Sequence, residues 1–382
     1  MLRPSIRRCF PRRGPGPAPG DKTRPAWIAS PLRRAATGGV NPQPIPFRLT
    51  PQVAFATATI ALSVGGAAWY TNQDTLERST SSSSLFSSWS RSLSGASTPG
   101  LQPSLVRQRW EETYARAAAW VKAVGSDNRL AIILAENWVE LSEAKRTCAG
   151  LIASFVGVWI AWRLPARMRV GEWLAHQPLS GRAVTLLTST FSHRTITHLG
   201  FNSIALFSFS TAAFSALSHA NSGLLPRSTS RYEFLALFAT AGVVSALASH
   251  VWFSRVIAGG LLKRGLTTRE VRGAILPSLG ASGAVYALVT LTALSFPSTS
   301  VSLIFLPFFP IPIGVAASAL VAVDIVGLLR GWRMFDHAAH LAGAAMGAAW
   351  FAGGHALFER LRAAMWDGQK RRLVEQRRLS RS

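Results

Sequence analysis

Acidic side chains and cysteines are scarce in this chain. Seventeen Asp and Glu stand against 41 Lys and Arg over 382 residues, a formal charge of +24, and there are two cysteines. Cys9 falls in a segment expected to be removed and Cys148 at the edge of an apolar block, which excludes a disulfide framework and a thiolate metal site. Charged residues of both signs reach only 15%, while hydrophobic residues reach 48% and mean hydropathy is +0.22. That balance argues against a soluble enzyme and for several membrane spans. The positive excess would suit nucleic acid, but the basic residues gather at the ends and in the connections and leave the apolar blocks nearly uncharged. Membrane topology explains this distribution better, with the lipid bilayer as partner and no nucleic acid.

Residues 1–50 hold ten basic residues (Arg3, Arg7, Arg8, Arg12, Arg13, Lys22, Arg24, Arg33, Arg34 and Arg48) and one acid, Asp21. They lack the continuous apolar stretch of a secretory signal, so an organellar presequence is expected, mitochondrial rather than plastid; a basic tail is the alternative. The first apolar run, Val53 to Tyr70, is long enough for an extra N-terminal span, assigned to 51–71. A linker and amphipathic region follows over 72–146. Ser81, Ser82, Ser83, Ser84, Ser87, Ser88 and Ser90 make its first part too polar to pack a core. Trp110, Tyr114, Trp120, Leu130, Ile133, Leu134 and Trp138, spaced among charges at helical intervals, then suggest one or two helices on a membrane surface or against the core.

Six further apolar blocks run at about Thr147 to Trp162, Ile196 to Ser218, Phe234 to Phe253, Ala274 to Phe296, Ile311 to Leu329 and His337 to Leu357. The fold class is therefore all-α, a polytopic membrane protein with six helices over 147–357 preceded by one extra span, and with a basic C-terminal tail over 358–382. Ala183 to Phe191 is mildly apolar and too short to span. The proline-broken run Phe305-Leu306-Pro307-Phe308-Phe309-Pro310 is expected to be irregular backbone sheltered by protein, near a lateral gate or cap.

Polar groups inside the apolar blocks are costly and therefore informative. His198 and Asn202, four apart, point to one side of a helix. Ser282 and Tyr286 share a face in another block, with Gly280 and Gly283 removing bulk around the hydroxyl. His340 shares a face with Gly343 and Gly347, whose spacing lets that helix approach another and bring the imidazole toward Ser282. A serine hydroxyl is a weak nucleophile until a base takes its proton, and a neutral imidazole suits that task. Acyl transfer also needs donors where the carbonyl oxygen becomes negative, and the Ser282 amide, His198 and Asn202 could supply them. Asp336, four residues before His340, is expected to cap a helix start rather than to complete a triad. His337 and His340 could be read as a metal pair, but no His-Glu-x-x-His occurs and the other histidines (His176, His193, His219, His250 and His355) lack ligand spacing, so neither metal nor cofactor is expected.

Three stretches in order, Thr190-Phe191-Ser192-His193 leading into His198-Leu199-Gly200-Phe201-Asn202, then Gly280-Ala281-Ser282-Gly283-Ala284-Val285-Tyr286, then Asp336-His337-Ala338-Ala339-His340-Leu341-Ala342-Gly343, resemble the rhomboid proteases over about residues 147 to 357. The Phe191-Ser192-His193 lead-in, the form of the last motif and the extra span resemble the mitochondrial, presenilin-associated rhomboid-like branch. Trp162-Arg163 matches the pair that many rhomboids carry in their first loop, though directly at the end of the preceding span.

The resemblance implies Ser282 as nucleophile, His340 as general base in a dyad, His198 and Asn202 as oxyanion donors, and Tyr286 as the ring supporting the imidazole. It implies an intramembrane endopeptidase of the mitochondrial inner membrane acting on transmembrane substrates, such as a dynamin-like fusion GTPase or imported precursors. A non-proteolytic rhomboid-like protein that binds or escorts client helices is the alternative. With the amino terminus in the matrix, seven spans put the carboxyl terminus in the intermembrane space and the Arg163 to Arg194 connection on the matrix side; the basic tail runs against that orientation.

Overall fold

A computed structural model describes residues 49–81, 100–101, 103–164, 167–219, 225–303, 306–332 and 334–380. Residues 1–48 of the expected presequence (1–50), and the serine-rich linker (79–98) from residue 82 on, lie outside them.

Ten helices carry the argument. They are α1 Thr50–Ser81, α2 Pro103–Val124, α3 Arg129–Glu140, α4 Glu143–Ala161, α5 Ile196–His219, α6 Arg231–Val251, α7 Ser282–Ser295, α8 Ile313–Arg330, α9 His337–Ala349 and α10 His355–Leu379. A wider turn, Trp252–Ile257, continues α6, and another, Trp350–Gly354, joins α9 to α10 without a break. Among the described residues, six helical stretches are long and apolar enough to cross a membrane: Thr50–Ser79, Glu143–Ala161, Ile196–Ser218, Arg231–Lys263, Ile313–Arg330 and His337–Leu379. The seventh apolar helix, α7, has 14 residues. The extra N-terminal helix is thus present as α1, and the two amphipathic helices are α2 and α3.

Local sequence accounts for the helix ends. The Asn128 side chain accepts from Ala131 N at the start of α3, Ser142 accepts from Lys145 N at the start of α4, and Gly331 closes α8 at φ +69°, a conformation that glycine adopts without strain. The apolar core gathers Phe155 of α4, Leu206 of α5, Phe234, Leu237 and Phe238 of α6, Ala284 and Leu288 of α7, Trp350, and Phe358 of α10. The apolar window of α6 is 67% buried and that of α8 only 22%. α6 is therefore the central helix, and α8 lies at the periphery.

At one end of the bundle the packing is polar. Arg227, Glu233 and Arg362 are buried. Glu233 of α6 pairs with Arg227 at 2.8 Å and accepts from His355 Nδ1 at 2.7 Å and Trp350 Nε1 at 3.1 Å. Arg362 of α10 donates to the Asn72 side chain of α1 (3.0 Å) and to the Pro226 carbonyl (2.7 Å). Gln369 donates to the Trp69 carbonyl at 3.1 Å. Asp74 of α1 pairs with Arg78 and with Arg109 of α2, while Glu143 of α4 pairs with Arg109 and Arg231. This network fastens α1 and α10 to the central helix. The basic residues past 358 are carried on α10, a helix packed along α1 rather than a separate tail.

Two expectations are corrected. Leu306–Pro312 is not sheltered irregular backbone; it forms an antiparallel hairpin with Ser300–Leu303, with Phe308 and Phe309 exposed. A two-stranded hairpin has two free edges, so prolines that cannot donate are tolerated there. A second small sheet pairs Gly100–Leu101 with Pro226–Arg227 in parallel. The block expected as one span from Ala274 to Phe296 is split: a short helix, Thr268–Ala274, ends at the block's first residue and α7 begins at Ser282, with Pro277 and Gly280 breaking the stretch between.

Candidate active site

A helix of 14 residues rises about 21 Å, against about 30 Å for the hydrocarbon thickness. Ser282 is the first residue of α7. Its N–H is one of the first-turn donors that a helix leaves without an internal acceptor. The stretch before it, residues 275–281, is held by backbone bonds: His176 and Ser278 exchange N–H to carbonyl bonds at 2.9 Å each, and Gly280 N donates to the Ser189 carbonyl at 2.9 Å. Gly280 takes φ +125°, and a Cβ there would lie 2.7 Å from the His198 imidazole. Only glycine fits both the turn and the ring beside it.

His340 comes from α9, whose start is capped by Asp336. The Asp336 carboxylate accepts from Ala339 N (3.1 Å), Ser278 Oγ (2.6 Å) and Ser249 Oγ (2.5 Å). Capping was the role expected of it, and the same carboxylate joins the loop before Ser282 to α6 and α9. Close approach of α7 and α9 follows from glycines: a Cβ on Gly343 would lie 2.0 Å from the Gly283 carbonyl oxygen, and one on Gly347 2.2 Å from that of Ala287. A Cβ on Gly283 would in turn meet Ser245 Oγ of α6 at 2.3 Å. Across this contact His340 Nε2 lies 2.9 Å from Ser282 Oγ. The Tyr286 ring stacks on the His340 imidazole, with centroids 4.4 Å apart and planes 13° from parallel.

His198 stands against Gly280, and the buried Asn202 donates an amide hydrogen to the His198 carbonyl at 2.9 Å. Behind His198 lies His193, its ring 5.0 Å away, buried against Phe155. Burial, and then the neighbouring His198, lower the His193 pKa to about 4. His176, in the same connection, is lowered to about 3 by burial and by His250 beside it. Both imidazoles are therefore neutral at ordinary pH. Trp162 ends α4 with its Nε1 donating to Ser192 Oγ at 2.7 Å, and Arg163 lies over the Trp159 ring at 3.2 Å from its centroid.

One residue was missed in the sequence. Asp324, buried on α8, places Oδ1 3.1 Å from His340 Nδ1 and 2.5 Å from His337 Nδ1. His337 therefore turns to this carboxylate, with room made by Gly327, where a Cβ would lie 2.4 Å from its ring. The signal was available: Asp324 is the one charged side chain in the block Ile311 to Leu329.

Residues 180–356 match the Rhomboid domain family. "Presenilin-associated rhomboid-like protein A, mitochondrial" of Danio rerio is 35% identical over 228 residues, 59% of this chain and 52% of that protein. "Presenilin-associated rhomboid-like protein, mitochondrial" of Homo sapiens is 33% identical over 222 residues, 58% of this chain and 51% of that one. "Rhomboid protein 1, mitochondrial" of Saccharomyces cerevisiae is 30% identical over 208 residues, 53% and 51% of the two chains. The chain spans about half the length of the curated relatives it matches. Among the described residues the fold is all-α and polytopic, with six helical stretches able to cross a membrane, and residues 180–356 are similar to the Rhomboid domain. Over somewhat more than half its length the chain is similar to presenilin-associated rhomboid-like proteins that are named mitochondrial, and its apolar helices fit a multi-pass mitochondrial membrane protein.

Proposed function

We propose that this protein is a serine endopeptidase of the mitochondrial inner membrane that cleaves in or beside the transmembrane segments of other membrane proteins. The observation that carries the reading is the 2.9 Å approach of His340 Nε2 to Ser282 Oγ at the start of a helix too short to cross a bilayer alone. A serine so placed meets its substrate within the hydrocarbon thickness.

In this reading the Ser282 hydroxyl gives its proton to His340 Nε2 as Oγ bonds to the scissile carbonyl carbon. The carbonyl electron pair moves onto the oxygen, which the Ser282 N–H, His198 and Asn202 stabilise; each such donor is worth about 2.7 to 4 kcal/mol. The C–N bond then breaks, the amine leaves with the proton from His340, and water hydrolyses the acyl-enzyme by the reverse proton path. Tyr286, stacked on the imidazole, holds its plane. A substrate helix hides its carbonyls in its own hydrogen bonds, so segments with helix-breaking residues are favoured. The substrates are transmembrane proteins, with single-span inner-membrane proteins, such as a dynamin-like fusion GTPase or imported precursors, as the class to screen.

Detergent-purified protein should cleave a single-span reporter and be labelled by a fluorophosphonate, and its Ser282→Ala counterpart should do neither. Silence of the folded parent in both assays would overturn the reading in favour of a client-binding rhomboid-like protein.

A further inference from the structure

We infer that Asp324 is a positioning residue for His340: its carboxylate fixes the tautomer and orientation of the imidazole that faces Ser282. The inference rests on the reading of Ser282 as nucleophile and His340 as base. The two ring nitrogens of His340 face different partners: Nε2 lies 2.9 Å from Ser282 Oγ and Nδ1 lies 3.1 Å from Asp324 Oδ1. A carboxylate only accepts, so Nδ1 carries the hydrogen and Nε2 keeps the lone pair that a base needs. The acid comes from α8, the serine from α7 and the imidazole from α9, so the arrangement depends on three packed helices.

The surroundings of Asp324 favour this role over a simple tie between α8 and α9. It is buried, and its ion-pair partners are His337 and His340. The carboxylate accepts from both imidazoles, and it gains a cationic partner when His340 takes the Ser282 proton, which is when catalysis needs it. His337, three residues before His340 and on the same side of α9, holds the same oxygen at 2.5 Å and fixes the carboxylate in place. The proton passes from Ser282 Oγ to His340 Nε2 and then to the leaving amine; Asp324 stays ionised throughout. The titratable groups facing His340 are Asp324 from α8, His337 from its own helix, Tyr286 from α7 and His198 from α5.

The test is Asp324→Asn, nearly isosteric and uncharged, in the full-length protein, with Asp324→Ser taking its place if the amide variant does not fold. The expected result is kcat lowered by about 10²- to 10⁴-fold, with KM within about threefold. Fluorophosphonate labelling should slow in parallel, and the acid limb of the kcat profile should move to lower pH because the imidazolium has lost its anion. A folded variant with kcat within threefold of the parent and an unmoved pH profile would overturn the inference and leave Asp324 as a helix tie. The parent separates the two readings: if it neither cleaves nor labels, the protease itself is refuted, whereas an active parent matched by an equally active variant refutes only the positioning role of Asp324.

Discussion

The α carbon of Gly343 faces the carbonyl of Gly283 so closely that a methyl group added to it would lie 2.0 Å from that oxygen. One turn above this contact on α9 is His340, and one residue before it on α7 is Ser282. The distance between His340 and Ser282 is therefore set by the absence of a side chain. Gly343→Ala must push backbone against backbone, which cannot yield as a flexible side chain would. It should destabilise the fold by about 1 to 3 kcal/mol, as overpacking does, and lower reporter cleavage at least tenfold. Gly353→Ala, with nothing within 4 Å of its added carbon, is the matched control and should leave both unchanged. Thermal unfolding in detergent beside the cleavage rate checks the pair.

Gly280→Ala tests the other wall of the site. Its φ of +125° strains any residue with a side chain, by about 1 to 3 kcal/mol, and the added methyl would press on His198. Cleavage should fall because the His198 ring is displaced from beside the Ser282 loop. Labelling of Ser282 should suffer less, since the 2.9 Å contact with His340 involves neither Gly280 nor His198. Equal loss in both assays would show that the substitution disturbs the nucleophile itself.

The polar network at the other end of the bundle makes a separate claim about stability. Arg362→Ala takes from Glu359 and from the Asn72 side-chain oxygen the buried guanidinium that both face, and Glu233→Gln removes the charge that Arg227 and His355 face. Breaking one side of a buried pair destabilises by about 3 to 5 kcal/mol. Both variants should unfold at a clearly lower temperature, while the protein that remains folded keeps its rate of fluorophosphonate labelling. Amide exchange should rise first in α1 and α10.

Much of the architecture was legible because its signals are local. Apolar blocks mark the spans, and the small residues around Ser282 and on the Gly343 and Gly347 face mark where two helices can touch. Ser282, His340 and Tyr286 do meet across that contact. What escaped was decided by partners far away in sequence. Asp324 looks like one misplaced acid until α8 packs against the start of α9, and its carboxylate meets an imidazole 16 residues on. Phe308 and Phe309 read as sheltered because apolar residues usually are, yet pairing of Leu306–Pro312 with Ser300–Leu303 leaves both exposed. Asn72 falls in the expected linker region and Arg362 and Gln369 in the expected basic tail, and only the packing of α1 on α10 buries them. The short α7 is a different case: Pro277 and Gly280 were visible, and the continuous hydrophobicity around them outweighed the breaks they signal.

Acid should loosen the connection behind the site before it touches the spans. His176 accepts or donates to Thr185 Oγ1 at 2.8 Å and to His250 Nδ1 at 3.0 Å, and its pKa is lowered from 6.5 to about 3 by burial and by His250. His193 is lowered to about 4 by burial and by His198. In the unfolded chain both take up a proton near pH 6.5, whereas in the folded chain they resist until much lower pH. The stability they contribute is therefore fully present above pH 6.5 and declines as pH falls toward the folded values. At pH 5 each should have withdrawn about 2 kcal/mol from the folded state. The unfolding temperature of the detergent-purified protein should thus drop between pH 7 and pH 5, and His176→Asn, which cannot be protonated, should flatten that drop. An unfolding temperature constant over this range would mean that neither histidine is held neutral by the fold.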